Sequence, residues 1–191
     1  MKEDNNQANI FLQKEPLVVS SGGFVIFQEK QTWELYILLT KKLHHNNTIA
    51  AIKKAIFRVI IWSDQKIITA LKWGLPKWRI EIEKKETAEE AAKQEVWEEV
   101  GITPNNLKIK KYVGSFIKPN RHYNGQIGDK EVKTFIIQTK EIPDKQKPKD
   151  KRHIRWTFPL QEGPNFINSK IERNFLEKNM EEIIKLFSSK E

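Results

Sequence analysis

Residues 87–102 read TAEEAAKQEVWEEVGI, and the reading of the whole chain turns on this stretch. Thr87 followed three residues later by Glu90 is a capping box, alanines fill the first turns, and Gly101 stands at the stop, so the pattern predicts a helix from Thr87 to Val100. At about 100° per residue, Glu95, Glu98 and Glu99 fall within roughly a third of the helix circumference. Ala88, Ala91 and Ala92 share that arc, and Trp97 points the opposite way. Carboxylates at i, i+3 and i+4 repel one another and destabilise a helix unless a cation compensates them. Magnesium suits such a group, since it binds carboxylate oxygens together with water and substrate phosphates. A solvated acidic face would carry the same string, but here the glutamates lie over small residues in a chain that is otherwise basic.

The 191 residues, 38% hydrophobic and 31% charged, suit one domain with an insertion or tails and a real core. Cysteine is absent, which excludes disulfides, thiolate zinc sites and a cysteine nucleophile. Only four histidines are present, two of them the adjacent His44 and His45 in a polar stretch. A metal must therefore be held by carboxylates, which favours Mg2+ or Mn2+. The net charge of +9 attracts polyanions, phosphorylated metabolites or nucleic acid, although a plain lysine-rich surface has the same composition. Met1 to Gln13 lacks the apolar core of a signal peptide and no segment approaches a membrane span, so a cytoplasmic location is expected.

Residues 1–15 read as a flexible tail and 16–191 as a single domain with an insertion at about 41–71. Leu17 to Phe27 and Trp33 to Leu39 are apolar, β-branched runs separated by polar residues, which predicts a hairpin. Gly22-Gly23 within the first run marks a bulge or a close backbone approach. In the insertion, Thr48 caps an expected helix from Ile49 to Trp62, basic and partly amphipathic, read as packing on the sheet rather than on a membrane or a partner. Gly74-Leu75-Pro76 reads as a turn. Leu107 to Lys118 and Val132 to Thr139 alternate as strands joined by a loop that holds Arg121, His122, Tyr123 and Gly125. Ile154, Trp156 and Phe158 make another strand. Ser169 with Glu172 forms a second capping box for a final helix to about Phe187. Strands, helix, strands, helix predict an α/β or α+β sandwich. Trp33, Trp62, Trp73 and Trp156 read as core or half-buried aromatics, and His153 and Arg155 as ordinary outward residues.

Gly74-Leu75-Pro76-Lys77, then Glu86, then Gln94-Glu95-Val96-Trp97-Glu98-Glu99-Val100-Gly101-Ile102 resembles the Nudix box. Ser21-Gly22-Gly23 and Ile154-Arg155-Trp156 look like further positions of that family. The box departs from the pattern in three places. Trp78 stands for the Gly after Leu-Pro-Lys, Lys85 for the Gly before Glu86 (in a loop two residues longer), and Gln94 for the box Arg that pairs with Glu86. The resemblance implies an α/β/α sandwich with a mixed sheet between helices and an inserted helical segment. It implies a metal-dependent hydrolase that cleaves a pyrophosphate bond in a nucleoside diphosphate-linked substrate: a dinucleoside polyphosphate, an NTP or an RNA 5′ end. Glu95, Glu98 and Glu99 would hold Mg2+ or Mn2+, and Glu98 and Glu99 would be catalytic, with Glu98 binding a further metal or handling the attacking water. Lys77 would contact phosphate, and Arg121 and Tyr123 offer charge and stacking for a nucleotide. The competing reading is a catalytically weak Nudix-like module that binds nucleotides or RNA; Trp78, Lys85 and Gln94 favour it, and the intact glutamate trio favours the enzyme.

Overall fold

The computed structural model describes residues 16, 18–42, 72–80, 85–140 and 152–188. The tail, most of the insertion with the helix expected over Ile49 to Trp62, and residues 141–151 lie outside the described residues. Strands β1 (Val18–Gln28) and β2 (Leu35–Lys42) form the expected antiparallel hairpin, with Val25 opposite Leu38 and Gln28 opposite Leu35. The edge of β1 that holds β2 over residues 25–28 holds a short strand, β3 (Lys77–Arg79), over residues 20–22. The sheet therefore splits at the middle of β1. The other edge of β1 pairs in parallel with β5 (Gln126–Thr139), from Val18 opposite Lys130 to Phe27 opposite Thr139. β4 (Leu107–Tyr123) lies antiparallel outside β5, and β6 (His153–Pro159) antiparallel outside β2. The order is β4-β5-β1-β2-β6, a mixed sheet.

Both faces of this sheet are covered, which explains why its central strands read as apolar runs rather than as an alternation. Phe24, Ile26, Ile37, Leu39, Val132 and Ile136 point to one face and pack on Leu176, Ile183 and Phe187 of the last helix, α3 (Lys170–Ser188). Short α2 (Gly163–Phe166) leads into that helix. Val25, Leu38, Phe135 and Ile137 point to the opposite face and meet Ala92, Val96 and Val100 of the helical segment that starts with α1 (Ala88–Glu95). This is an α/β sandwich with the sheet between helices. Among the described residues no helix is long and apolar enough to cross a membrane.

Three expectations are corrected. β4 and β5 are longer than the apolar pattern suggested, and the loop between them shrinks to Asn124-Gly125. With φ of 46° and 78°, these two residues make a tight turn of the hairpin-matching hand. Arg121, His122 and Tyr123 thus belong to β4. Trp33 is 69% exposed, at φ 62° in the β1–β2 turn, so it is no core aromatic. Gly74 does not turn; it exchanges both backbone hydrogen bonds with Thr40, each 2.9 Å.

The glycine pair marks a close approach. A Cβ on Gly22 would lie 2.3 Å from the Pro76 carbonyl oxygen, and one on Gly23 would lie 2.5 Å from that of Phe135. Both obstacles are backbone, which cannot swing aside as a side chain can. Gly22→Ala should therefore lower the free energy of unfolding by about 1–3 kcal/mol, the usual cost of overpacking. Urea denaturation followed by circular dichroism measures it, and an unchanged midpoint would contradict the contact.

Candidate active site

The helix that carries the glutamates begins as its sequence dictates. Thr87 Oγ1 accepts the Glu90 N–H at 3.2 Å, and the Glu90 carboxylate accepts the Thr87 N–H at 2.9 Å. After Glu95 the coil widens into a π turn over Val96–Val100, and the Gly101 N–H reaches back to the Val96 carbonyl at 3.0 Å. Single π turns inside helices occur frequently at functional sites. The regular angular spacing ends there, yet Glu95 and Glu99 remain side by side and share a hydrogen bond.

Glu95 is 2% exposed, and its Oε1 has no hydrogen-bond partner. Burial, and after it the negative charge of Glu99, pushes its carboxyl up to about 10. Glu99 goes the other way. Burial would raise it, but the hydrogen bond from His153, that from Glu95 and the charges of His153 and Lys77 together hold it below the usual carboxylate range. Thr40 Oγ1 donates to Glu99 Oε2 at 2.9 Å, and His153 Nε2 lies 2.9 Å from Oε1. The Gln94 amide donates to Glu98 Oε1 at 2.7 Å, so the residue in the place of the box Arg steadies that glutamate without adding charge. Among the described residues no three His, Asp or Glu side chains are gathered closely enough to enclose a metal unaided. A cation here would be held by one or two carboxylates with substrate oxygens and water, the usual arrangement for magnesium.

Facing the carboxylates is a second charged group. Lys77 forms an ion pair with Glu172 Oε1 at 2.9 Å and donates to the Leu75 carbonyl at 2.9 Å. Lys118 binds the same carboxylate oxygen. The Leu75 N–H donates to Glu172 Oε2 at 3.1 Å. Glu172 is 1% exposed. Burial would raise its carboxyl, but the charges of Lys77 and Lys118 and their hydrogen bonds hold it at about 2. Lys118 is also lowered, by burial first and then by Lys77, because one carboxylate serves two ammonium groups and leaves them under-compensated. The capping box read at Ser169 is only half formed: the Glu172 N–H lies 3.4 Å from Ser169 Oγ, while the Glu172 side chain turns to the lysines.

A cleft of about 420 Å³ opens where the sheet splits, lined by Thr40, Glu99 and His153 from one side and Lys77, Lys118, Lys130 and Glu172 from the other. Arg121 lines it too. The Tyr123 side chain lies outside the described residues, and His122 is exposed. The structure thus brings Lys77, Arg121 and Glu99 to one cleft. The reading of His153 and Arg155 as outward residues is corrected. His153 is 7% exposed against Glu99, and the Arg155 guanidinium donates to the Val100 carbonyl. The period-two pattern of β6 set them opposite Ile154 and Trp156, and only the helix on that face makes the position internal. Lys85, in the place of the box Gly, has φ 54°, a left-handed conformation that glycine adopts without strain.

A family model described as NUDIX domain matches residues 57–178. The chain belongs to the Nudix family. It is accordingly a Nudix pyrophosphohydrolase. The fold of this Nudix chain is similar to that of a Caenorhabditis elegans Ap4A hydrolase in a binary complex, with TM-score 0.60 and 15% identity over 88% of this chain and 99% of that one. It is similar as well to a mutT/nudix family protein from Listeria innocua, with TM-score 0.56 and 18% identity over 91% and 98% of the two chains. The NUDIX domain of Shewanella oneidensis NrtR, crystallised with ADP ribose, aligns with TM-score 0.57 and 13% identity over 96% and 99%. A comparison with curated protein sequences finds no match.

The Glu172 cluster yields a pH test for this Nudix protein. Its carboxyl is lowered from the ordinary 4.5 to about 2 on folding, so the stability it contributes is complete above about 4.5 and is lost as the pH falls towards 2. Glu172→Gln leaves the buried Lys118 and the half-buried Lys77 without their shared carboxylate and should cost roughly 3 kcal/mol or more at neutral pH. It should also flatten the acid limb of the stability curve, measured by urea unfolding at stepwise pH. A variant with the wild-type acid limb would show that the ion pairs are not the source.

Proposed function

We propose that this Nudix protein hydrolyses a phosphorus anhydride in a nucleoside diphosphate-linked compound, with Mg2+ or Mn2+ held by one or two carboxylates of the trio Glu95, Glu98 and Glu99 together with substrate oxygens and water. The observation that carries the reading is Glu95: a buried carboxyl with one oxygen unpartnered, pressed against Glu99, where burial and the charge of Glu99 outweigh the opposing charge of Lys77. Folding tolerates such a group where a cation completes it, so the donor set fits a hard divalent ion. Such an ion supplies Lewis acidity to a phosphoryl oxygen and lowers the pKa of a bound water.

The rest follows from this chain's own side chains. Lys77, fixed by Glu172 and the Leu75 carbonyl, presents positive charge where a phosphate oxygen gains negative charge. Glu98, steadied by Gln94, orients or deprotonates the attacking water. His153 and Thr40 fix the rotamer of Glu99. Arg121 and Tyr123, at the far end of β4, meet the distal part of the substrate, Arg121 with its charge and Tyr123 as a surface on which a base can stack. Among similar folds, one is that of an Ap4A hydrolase and another was crystallised with ADP ribose, which supports compounds with two or more linked phosphates.

A panel of nucleoside diphosphate compounds, incubated with and without Mg2+ and resolved by anion-exchange chromatography, tests this. Release of a nucleoside monophosphate or phosphate from at least one compound is expected, and Glu98→Gln and Glu95→Gln should each reduce it on the order of a hundredfold or more. Glu95→Gln should also raise the melting temperature of chelator-treated protein, because it removes a carboxyl whose folded pKa lies far above the unfolded one. Tight nucleotide binding without release under any metal would decide for a binding module instead.

A further inference from the structure

From the wall of the cleft opposite the glutamates we infer that Lys130, with Arg121 and Lys118, forms an anchoring subsite for the far end of a linear chain of three or more phosphates. The inference rests on the proposed cleavage at the glutamates and deepens it: it states which phosphate chains the cleft selects. Lys118 and Lys130 are directly opposed across β4 and β5. Alternation from Phe116 and Val132, both packed in the α3-side core, places the two lysines on that same face of the sheet. Lys77 shares it, since it stands opposite Gly22, in step with Phe24 and Ile26.

Like charges directly opposed across a strand pair disfavour the pairing. Here the opposition is aggravated by Lys77 and Arg121, which line the same cleft. The negative charge built into this wall is Glu172, and both its oxygens are already engaged, by Lys77, Lys118 and the Leu75 N–H. Lys130 is left in the positive excess. Burial first, and then the charges of Lys77, Lys118 and Arg121, lower its ammonium to about 8, while Glu95 acts weakly in the opposite sense.

A charge so placed is relieved by an anion entering the cleft. One phosphate beside the glutamates needs only Lys77 and a cation. Lys130 and Arg121 lie further along the β4–β5 ribbon, towards its turn at Asn124-Gly125, and would meet phosphates beyond the scissile bond. A linear oligophosphate offers several charges at a regular spacing and so can engage both ends of the cleft at once. A diphosphate offers fewer charges to the same wall.

Titration calorimetry in the presence of a chelator, with inorganic tripolyphosphate and pyrophosphate as probes, tests the subsite without turnover. It therefore remains readable even if no compound of the panel is hydrolysed. Wild-type protein should bind tripolyphosphate about tenfold more tightly than pyrophosphate, Lys130→Gln should reduce that preference to about twofold, and Lys130→Arg should restore most of it. Lys178→Gln, an exposed change on α3 that removes the same charge, should leave the preference intact. Arg121→Gln, at an exposed position, should shift it in the same direction as Lys130→Gln, and carries the test should Lys130→Gln fail to fold. Equal wild-type affinities for the two probes, or equal losses from Lys130→Gln and Lys178→Gln, would overturn the inference and reduce the lysines to a general attraction for anions.

Discussion

Glu172 is the group on which the arrangement of the cleft depends. It belongs to the last helix, yet its carboxylate holds the Leu75 backbone, the Lys77 side chain and the Lys118 side chain at once. Those partners belong to the segment leading into β3 and to the outermost strand, so one side chain ties three elements that do not follow one another in sequence. A buried carboxylate with one cation would be an ordinary compromise between desolvation and attraction. With two cations the balance moves in favour of the charged form, and the surplus positive charge is directed into the cleft.

The second constraint is the divided edge of β1. Because β2 leaves it after Val25 and β3 takes over at Gly22, the sheet opens between its two layers of helix. Groups from opposite faces can then approach the same space. Glu95 and Glu99 come from the helix on one side and Glu172 from the helix on the other, and Lys77 stands in the opening, where its charge acts on all three. Gly22 is part of the same device, since the Pro76 carbonyl occupies the space a side chain would need.

Much of this was legible from the chain because the signals were local. The Thr87 capping box, the stop at Gly101 and the spacing of Glu95, Glu98 and Glu99 gave the helix and its charged face, and apolar runs gave β1, β2 and the final helix. What escaped was set by distant partners. Glu172 read as a capping residue because Ser169 is three residues away, whereas Leu75 is 97 positions away and Lys118 is 54. His153 read as outward because alternation tells the two faces of a strand apart but not which of them is covered. The length of the β4–β5 ribbon was hidden for a related reason. Past Lys130 no pairing of β5 with β1 remains, so its residues bury little and carry no hydrophobic alternation. Trp33 escaped because an aromatic beside a strand usually packs inward, and its left-handed backbone was not visible in composition.

β4 shows how such a sheet is kept from finding the wrong neighbour. Among the described residues it forms one margin of the sheet for 17 residues, and a long margin of unpaired backbone groups is a template on which another chain can add a strand. Tyr112 and Ile117 on it are exposed and would favour such an addition. Three breaks in the register with β5, between Ile109 and Lys111, Tyr112 and Gly114, and Lys118 and Arg121, interrupt its hydrogen-bonding rhythm. Lys108, Lys110 and Lys111 add charge along the same margin. Irregularity and charge together make this strand a poor seed for fibrous aggregation, so the surplus of lysine that lines the cleft also keeps the molecules apart at the rim.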